Sequence, residues 1–144
     1  MVFRFVNFAT AQAMQLNVTY IVISITTPNS SQAVFIDDPN RKDILRLQFH
    51  DLDKRPPGMQ WGDGEIEFDI VLFTDEMAKE IVEFVRKYEN EVQCIICHCE
   101  AGISRSPAVI AALVKVYHGD DAWVFKSAMP NRLVYQKMLE ALHA

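Results

Sequence analysis

Cys99 and Arg105 stand six positions apart in the stretch His98-Cys99-Glu100-Ala101-Gly102-Ile103-Ser104-Arg105-Ser106. Each residue type in it has a task in holding and attacking a tetrahedral oxyanion. A tight loop that runs into a helix aims several backbone N–H groups at one point, and the helix dipole adds partial positive charge there. The amides of Glu100, Ala101, Gly102, Ile103 and Ser104 would make that cradle, and Gly102 permits the unusual backbone angles it needs. Arg105 closes the ring, because its planar fork grips two oxygens at once where a lysine offers a point charge. The same field favours the thiolate of Cys99, the nucleophilic form of the side chain.

This arrangement requires a strand before the loop and a helix after it. Residues 92–97 form a short apolar run bounded by polar residues, the pattern of a fully buried central strand. Residues 107–117 are apolar almost all round, which predicts a buried helix ended by Gly119. Elsewhere, residues 3–8, 20–25 and 44–49 read as strands and 9–16 as a short helix. Ile70, Phe73, Met77, Ile81, Phe84 and Tyr88 recur at spacings of three and four and predict an amphipathic helix capped by Asp69. Further helical pieces are expected over 120–127 and, after Pro130-Asn131, over 132–142. The fold class is therefore α/β: a central, mostly parallel sheet of four to five strands with helices on both faces. Residues 52–67 form a polar loop of about 16 residues, longer than an ordinary connection, which points to a lid or binding loop.

Composition limits the class of partner. The chain has 144 residues, 50% of them hydrophobic and 23% charged, which suits one domain spanning 1–144. With 14 basic against 19 acidic residues the net charge is -5. No broad positive field exists to gather nucleic acid or an anionic membrane. Residues 5–36 carry no charge, yet Asn, Gln, Thr and Ser interrupt them throughout, so neither a signal peptide nor a membrane span is expected. The three cysteines, Cys94, Cys97 and Cys99, lie too close together to staple a secreted scaffold. A reducing, cytoplasmic setting follows as the expectation.

The pattern His-Cys-x-x-Gly-x-x-Arg-Ser resembles the phosphate-binding loop of the cysteine-dependent protein tyrosine phosphatases. The wording Ala-Gly-Ile-Ser-Arg-Ser-Pro is most similar to the dual-specificity branch. The strand leading to Asp51, the Asp69-Ile70-x-x-Phe73 helix start and Pro130-Asn131 also fit that family's layout, over roughly the C-terminal two-thirds of the chain. The resemblance implies a phosphate loop between strand and helix, and hydrolysis of phosphotyrosine, with phosphoserine or phosphothreonine as further substrates, through a cysteinyl-phosphate. It makes Cys99 the nucleophile and Arg105 the oxyanion clamp. Ser106 donates to the departing sulfur and His98 orients the loop. It implies no metal and no cofactor. The general acid falls on Asp51, which follows the strand preceding the long helix, with Asp53 and Asp63 as alternatives because the following loop is longer than in the family.

Other readings compete. Cys94-Ile95-Ile96-Cys97-His98 matches the haem-attachment spacing, and Cys/His clusters can hold zinc, but a buried strand without converging ligands suits neither. Cys94 and Cys97 read as core residues, and a redox role for Cys97 stays open. Trp61, Asp63, Glu65, Glu67 and Asp69 could select a substrate flank, and Arg41, Lys42, Lys54 and Arg55 could collect a phosphorylated ligand. The loop's variable side chains include no lysine. This favours a phosphoprotein or phosphopeptide over a phosphoinositide or RNA 5′-phosphate, while a phosphate-binding module without turnover remains the alternative from another class.

Overall fold

The computed structural model describes residues 1–54 and 70–144. Its elements are β1 (Val2–Val6), α1 (Phe8–Gln12), β2 (Tyr20–Thr26), β3 (Arg41–Gln48), α2 (Asp75–Tyr88), β4 (Cys94–His98), α3 (Arg105–His118), α4 (Ala122–Ser127) and α5 (Arg132–His143). The four strands pair in the order β1-β4-β2-β3, and every pairing is parallel. The last strand in the chain thus lies between the first two. Its C-terminal end opens where the winding of the sheet reverses, the place where parallel α/β sheets bind ligands.

The run Cys94-Ile95-Ile96-Cys97-His98 is buried along its whole length, and alternate residues serve two layers. Ile95 and Cys97 join the larger core with Ile21, Ile23 and Ile25 beneath α2, α3 and α5. Cys94 and Ile96 face the other way, onto Tyr20, Val22 and Met14, with Phe35 packed against them. A strand covered on both faces needs no polar alternation, which is why its sequence is uniformly apolar. Helix α3 is buried from Arg105 through Val114 and ends at Gly119, whose φ of 85° lets its N–H bond the carbonyls of Val114 and Lys115.

Helix α2 departs from the sequence expectation. It begins at Asp75, with Thr74 as its cap accepting from the Met77 N–H at 3.1 Å. Asp69 lies outside the described residues, and the helix start at Asp69-Ile70-x-x-Phe73 is corrected. Residues 70–73 are not helical, although Ile70 and Phe73 are buried. The Phe73 ring instead packs against Phe49 at 4.9 Å between centroids. Two buried residues three apart satisfy a helical period in a non-helical segment too, so spacing could not locate the boundary. Beyond Thr74 the pattern holds: Ile81 is buried, and Met77, Phe84 and Tyr88 pack against the larger core.

Candidate active site

The loop between β4 and α3 is pinned before it is functional. Glu100 accepts through its carbonyl from the Phe8 N–H at 3.0 Å, tying the loop to the start of α1. Gly102 has φ 72°, and a Cβ there would lie 3.0 Å from the Asn7 nitrogen and 3.1 Å from the Val6 carbonyl carbon. Left-handed backbone and close approach to β1 therefore coincide at one residue. Gly102→Ala is expected to cost about 2 kcal/mol or more from backbone strain alone, and to displace the loop further through contact. A lowered Tm together with weakened phosphate binding would check this; wild-type values for both would refute it.

His98 is wholly buried at the end of β4. Its Nδ1 lies 2.9 Å from the Cys99 carbonyl oxygen, which can only accept, so Nδ1 carries the proton. Nε2 then accepts from the Ser24 hydroxyl at 2.6 Å, and the rings of Phe8 and Phe35 meet the imidazole edge-on. Desolvation holds its pKa below the ordinary histidine value, with the charges of Arg46 and Arg105 acting in the same direction and the bond to Cys99 opposing. The ring is a neutral brace that joins β2 to the loop.

Cys99 is only 2% exposed. Its Sγ accepts from the Gly102 N–H at 3.3 Å and lies 3.1 Å from the Ser106 Oγ, where either group can donate. Helix α3 starts at Arg105, and the cap residue Ser104 does not use its side chain to cap. The Ser104 hydroxyl donates instead to Asp51 Oδ1 at 2.7 Å. The same oxygen accepts from Asn131 Nδ2 at 3.0 Å. Asn131 Oδ1 in turn caps α5 by accepting from the Val134 N–H at 3.1 Å, and its own N–H bonds the Ser104 carbonyl at 3.0 Å. Asp51 is thereby held against the loop, and a cleft of about 520 Å³ opens between Asp51, Asp53, Ser104, Met129 and Asn131.

Arg105 is buried, and its Nη1 donates to the Phe49 carbonyl at 2.8 Å and to Thr27 Oγ1 at 3.1 Å. Glu100 Oε2 lies 3.7 Å from Nη2. Although desolvation pulls the other way, hydrogen bonds from Thr27, the Arg105 charge and a bond from Ser30 keep the Glu100 carboxyl below the usual glutamate range. The loop that carries Cys99 thus runs into a helix N-terminus that opens on a buried guanidinium, and the Glu100 carboxyl stands beside that guanidinium.

No protein-family model and no curated protein sequence matches the chain. Solved structures do. A variant of human DUSP28 superposes with a TM-score of 0.53 at 18% identity, covering 96% of this chain and 90% of that one. PTPMT1 in complex with PI(5)P gives a TM-score of 0.53 at 18% identity over 87% of this chain and 76% of its own. A mouse putative dual specificity phosphatase complexed with zinc tungstate gives 0.51 at 15% identity over 95% and 79%. The fold is that of the dual-specificity phosphatases.

Within this dual-specificity phosphatase fold the sequence-predicted residues meet as follows. Cys99, Gly102 and Ser106 converge on the sulfur, and Asp51 reaches the loop through Ser104. The Ile103 side chain is exposed. Asp53 lines the cleft, whereas Asp63 and the residues Arg55, Trp61, Glu65 and Glu67 lie outside the described residues. Cys97 is fully buried, and burial together with the neighbouring Cys99 pushes its thiol well above the ordinary cysteine value. Three residues that pattern reading did not assign to the site are Ser24, Thr27 and Asn131. The available signals were the strand-closing Thr27-Pro28 and the Asn131 that precedes a helix; neither shows in sequence what it touches.

Proposed function

We propose that the chain is a phosphatase that hydrolyses phosphate monoesters of proteins, phosphotyrosine foremost, through a cysteinyl-phosphate intermediate, with residues 1–144 acting as one catalytic domain. The observation that carries this reading is the convergence of the Gly102 N–H and Ser106 Oγ on the Cys99 sulfur at the start of α3, with Asp51 bound to the same loop. The Cys99 thiolate attacks phosphorus, a P–S bond forms and the P–O ester bond breaks. Loop amides and Arg105 hold the equatorial oxygens. Asp51 gives its proton to the leaving oxygen. Both donors to Asp51 among the described residues address Oδ1, which leaves Oδ2 as the oxygen to carry this proton. In the second half, Asp51 takes a proton from water as the water attacks phosphorus. The P–S bond breaks, and the Ser106 hydroxyl, 3.1 Å from the sulfur, donates to the departing thiolate.

The Glu100 carboxylate at the rim works against substrates with further phosphates near the scissile one, which favours a singly phosphorylated residue over a phosphoinositide. A working Cys99 must stay reduced, which suits a cytoplasmic setting; no described helix is long and apolar enough to cross a membrane. The test is turnover of p-nitrophenyl phosphate in the presence of a chelator, where activity above background is expected. No turnover by the wild-type chain would overturn the reading in favour of a phosphate-binding module. Higher kcat/KM for phosphoinositides than for phosphotyrosyl peptides would reassign the substrate.

Asp51→Asn tests the acid. Removing it should slow alkyl phosphates by about 10²-fold or more, and aryl phosphates much less, because a good leaving group needs little protonation. Equal losses on both substrates would move the role elsewhere, with Asp53→Asn as the next variant.

A further inference from the structure

The guanidinium of Arg105 has five N–H donors, and its surroundings sort them. Nη1 spends both of its hydrogens on protein, one on Thr27 Oγ1 at 3.1 Å and one on the Phe49 carbonyl at 2.8 Å. Nη2 faces the Glu100 carboxylate at 3.7 Å, too long for a hydrogen bond but close enough for attraction between charges. Nε is buried and has no hydrogen-bond partner among the described residues. The edge opposite Nη1, formed by Nε and Nη2, is thus kept for a two-oxygen ligand, and the acceptors on Nη1 set its direction.

The Thr27 acceptor stands on a braced turn. Ser30 donates its N–H to the Thr27 carbonyl at 3.1 Å and its hydroxyl to the same oxygen at 2.7 Å. Asn29 takes φ 67° after Pro28, the combination that favours a type II turn. Gln48 Nε2, at the end of β3, donates to the carbonyls of Thr27 and Ser30 at 3.3 and 3.4 Å. The turn also anchors the counter-charge: the Thr27 N–H donates to Glu100 Oε1 at 3.1 Å, and the Ser30 Oγ lies 3.4 Å from the same oxygen. One turn therefore holds both Arg105 and the carboxylate facing it, although Thr27 and Arg105 are 78 residues apart in the chain.

We propose that Thr27 is a positioning residue for the oxyanion clamp: its Oγ1 fixes the rotation of the Arg105 guanidinium, and its N–H fixes Glu100, so that the Nε–Nη2 edge is presented to a phosphoryl group. This rests on the phosphatase reading, because it assigns that edge to the substrate. Thr27→Val keeps the shape and the backbone N–H and deletes the hydroxyl, which accepts from Arg105 and also bonds Glu100; Thr27→Ser keeps the hydroxyl and deletes a methyl group. With one hydrogen bond to a charged group lost, Thr27→Val should reduce kcat/KM for p-nitrophenyl phosphate by about tenfold. The affinity for inorganic phosphate, measured by calorimetry, should fall by a similar factor. Thr27→Ser should stay within about threefold of wild type on both, and the Tm values of the two variants should agree within a few degrees. Wild-type phosphate affinity in Thr27→Val would overturn the proposal. So would a Thr27→Ser variant as impaired as Thr27→Val, since the methyl group would then be what matters. Failure of the phosphatase reading is told apart by the wild-type chain: no turnover there leaves calorimetry able to judge Thr27 alone.

Discussion

Cys99→Ser is expected to lower turnover of p-nitrophenyl phosphate by more than about 10⁴-fold while inorganic phosphate still binds. Serine is nearly isosteric, so the Gly102 N–H and the Ser106 hydroxyl, now 3.3 and 3.1 Å from sulfur, keep a partner and the loop keeps its shape. What disappears is the anion proposed as nucleophile: an alkyl hydroxyl is not ionised at neutral pH, and among the described residues no base hydrogen-bonds this position. Loss of the negative sulfur also removes its repulsion for a bound phosphate, so affinity for phosphate should hold or rise. Turnover and phosphate titration on the same preparation check both halves. Retained turnover would mean that the nucleophile is not Cys99.

Arg105→Lys should lower kcat/KM by about 10²- to 10³-fold, the scale of removing one well-placed oxyanion donor. Arg105 satisfies the Phe49 carbonyl and Thr27 Oγ1 through one nitrogen and retains two others for the ligand. A lysine ammonium sits at a single point. If it bonds the protein acceptors it cannot span two phosphate oxygens, and if it moves to the phosphate it leaves the buried Phe49 carbonyl without its donor. Phosphate affinity should fall together with kcat/KM, in contrast to Cys99→Ser. An Arg105→Lys variant that binds and turns over as wild type would show that the fork geometry is not used.

The two variants act on residues that the sequence alone singled out, and the reason is locality. From His98 to Ser106 the chemistry depends on neighbours in sequence: a loop's amides, a glycine, a helix start and two side chains. The flanking elements were equally readable, because a strand covered on both faces and a helix buried all round leave unbroken apolar runs. The order of the strands was not. It is the insertion of β4 between β1 and β2 that sets the loop beside Asn7 and Thr27, and so makes Gly102 a steric requirement as well as a turn residue.

Boundaries and partners failed for a related reason. Ile70 and Phe73 obey a helical period without being helical, since burial dictates residue type and non-helical chain beside a core is buried too. Asn131 precedes the helix expected over 132–142, and it caps that helix. Its second task, holding Asp51, depends on where α5 begins relative to the end of β3, 80 residues away in sequence.

The amino-acid sequence by itself determined the α/β class and singled out Cys99, Gly102 and Arg105 as a candidate phosphate-type loop, because these follow from short-range pattern and intrinsic chemistry, while Ser106 entered through the family resemblance. Only the tertiary structure decided which groups hold Arg105, which donors hold Asp51, and which tautomer His98 adopts. Those are questions of direction and distance between elements remote in the chain. Strand order and helix packing answer them, and composition and spacing carry no record of either.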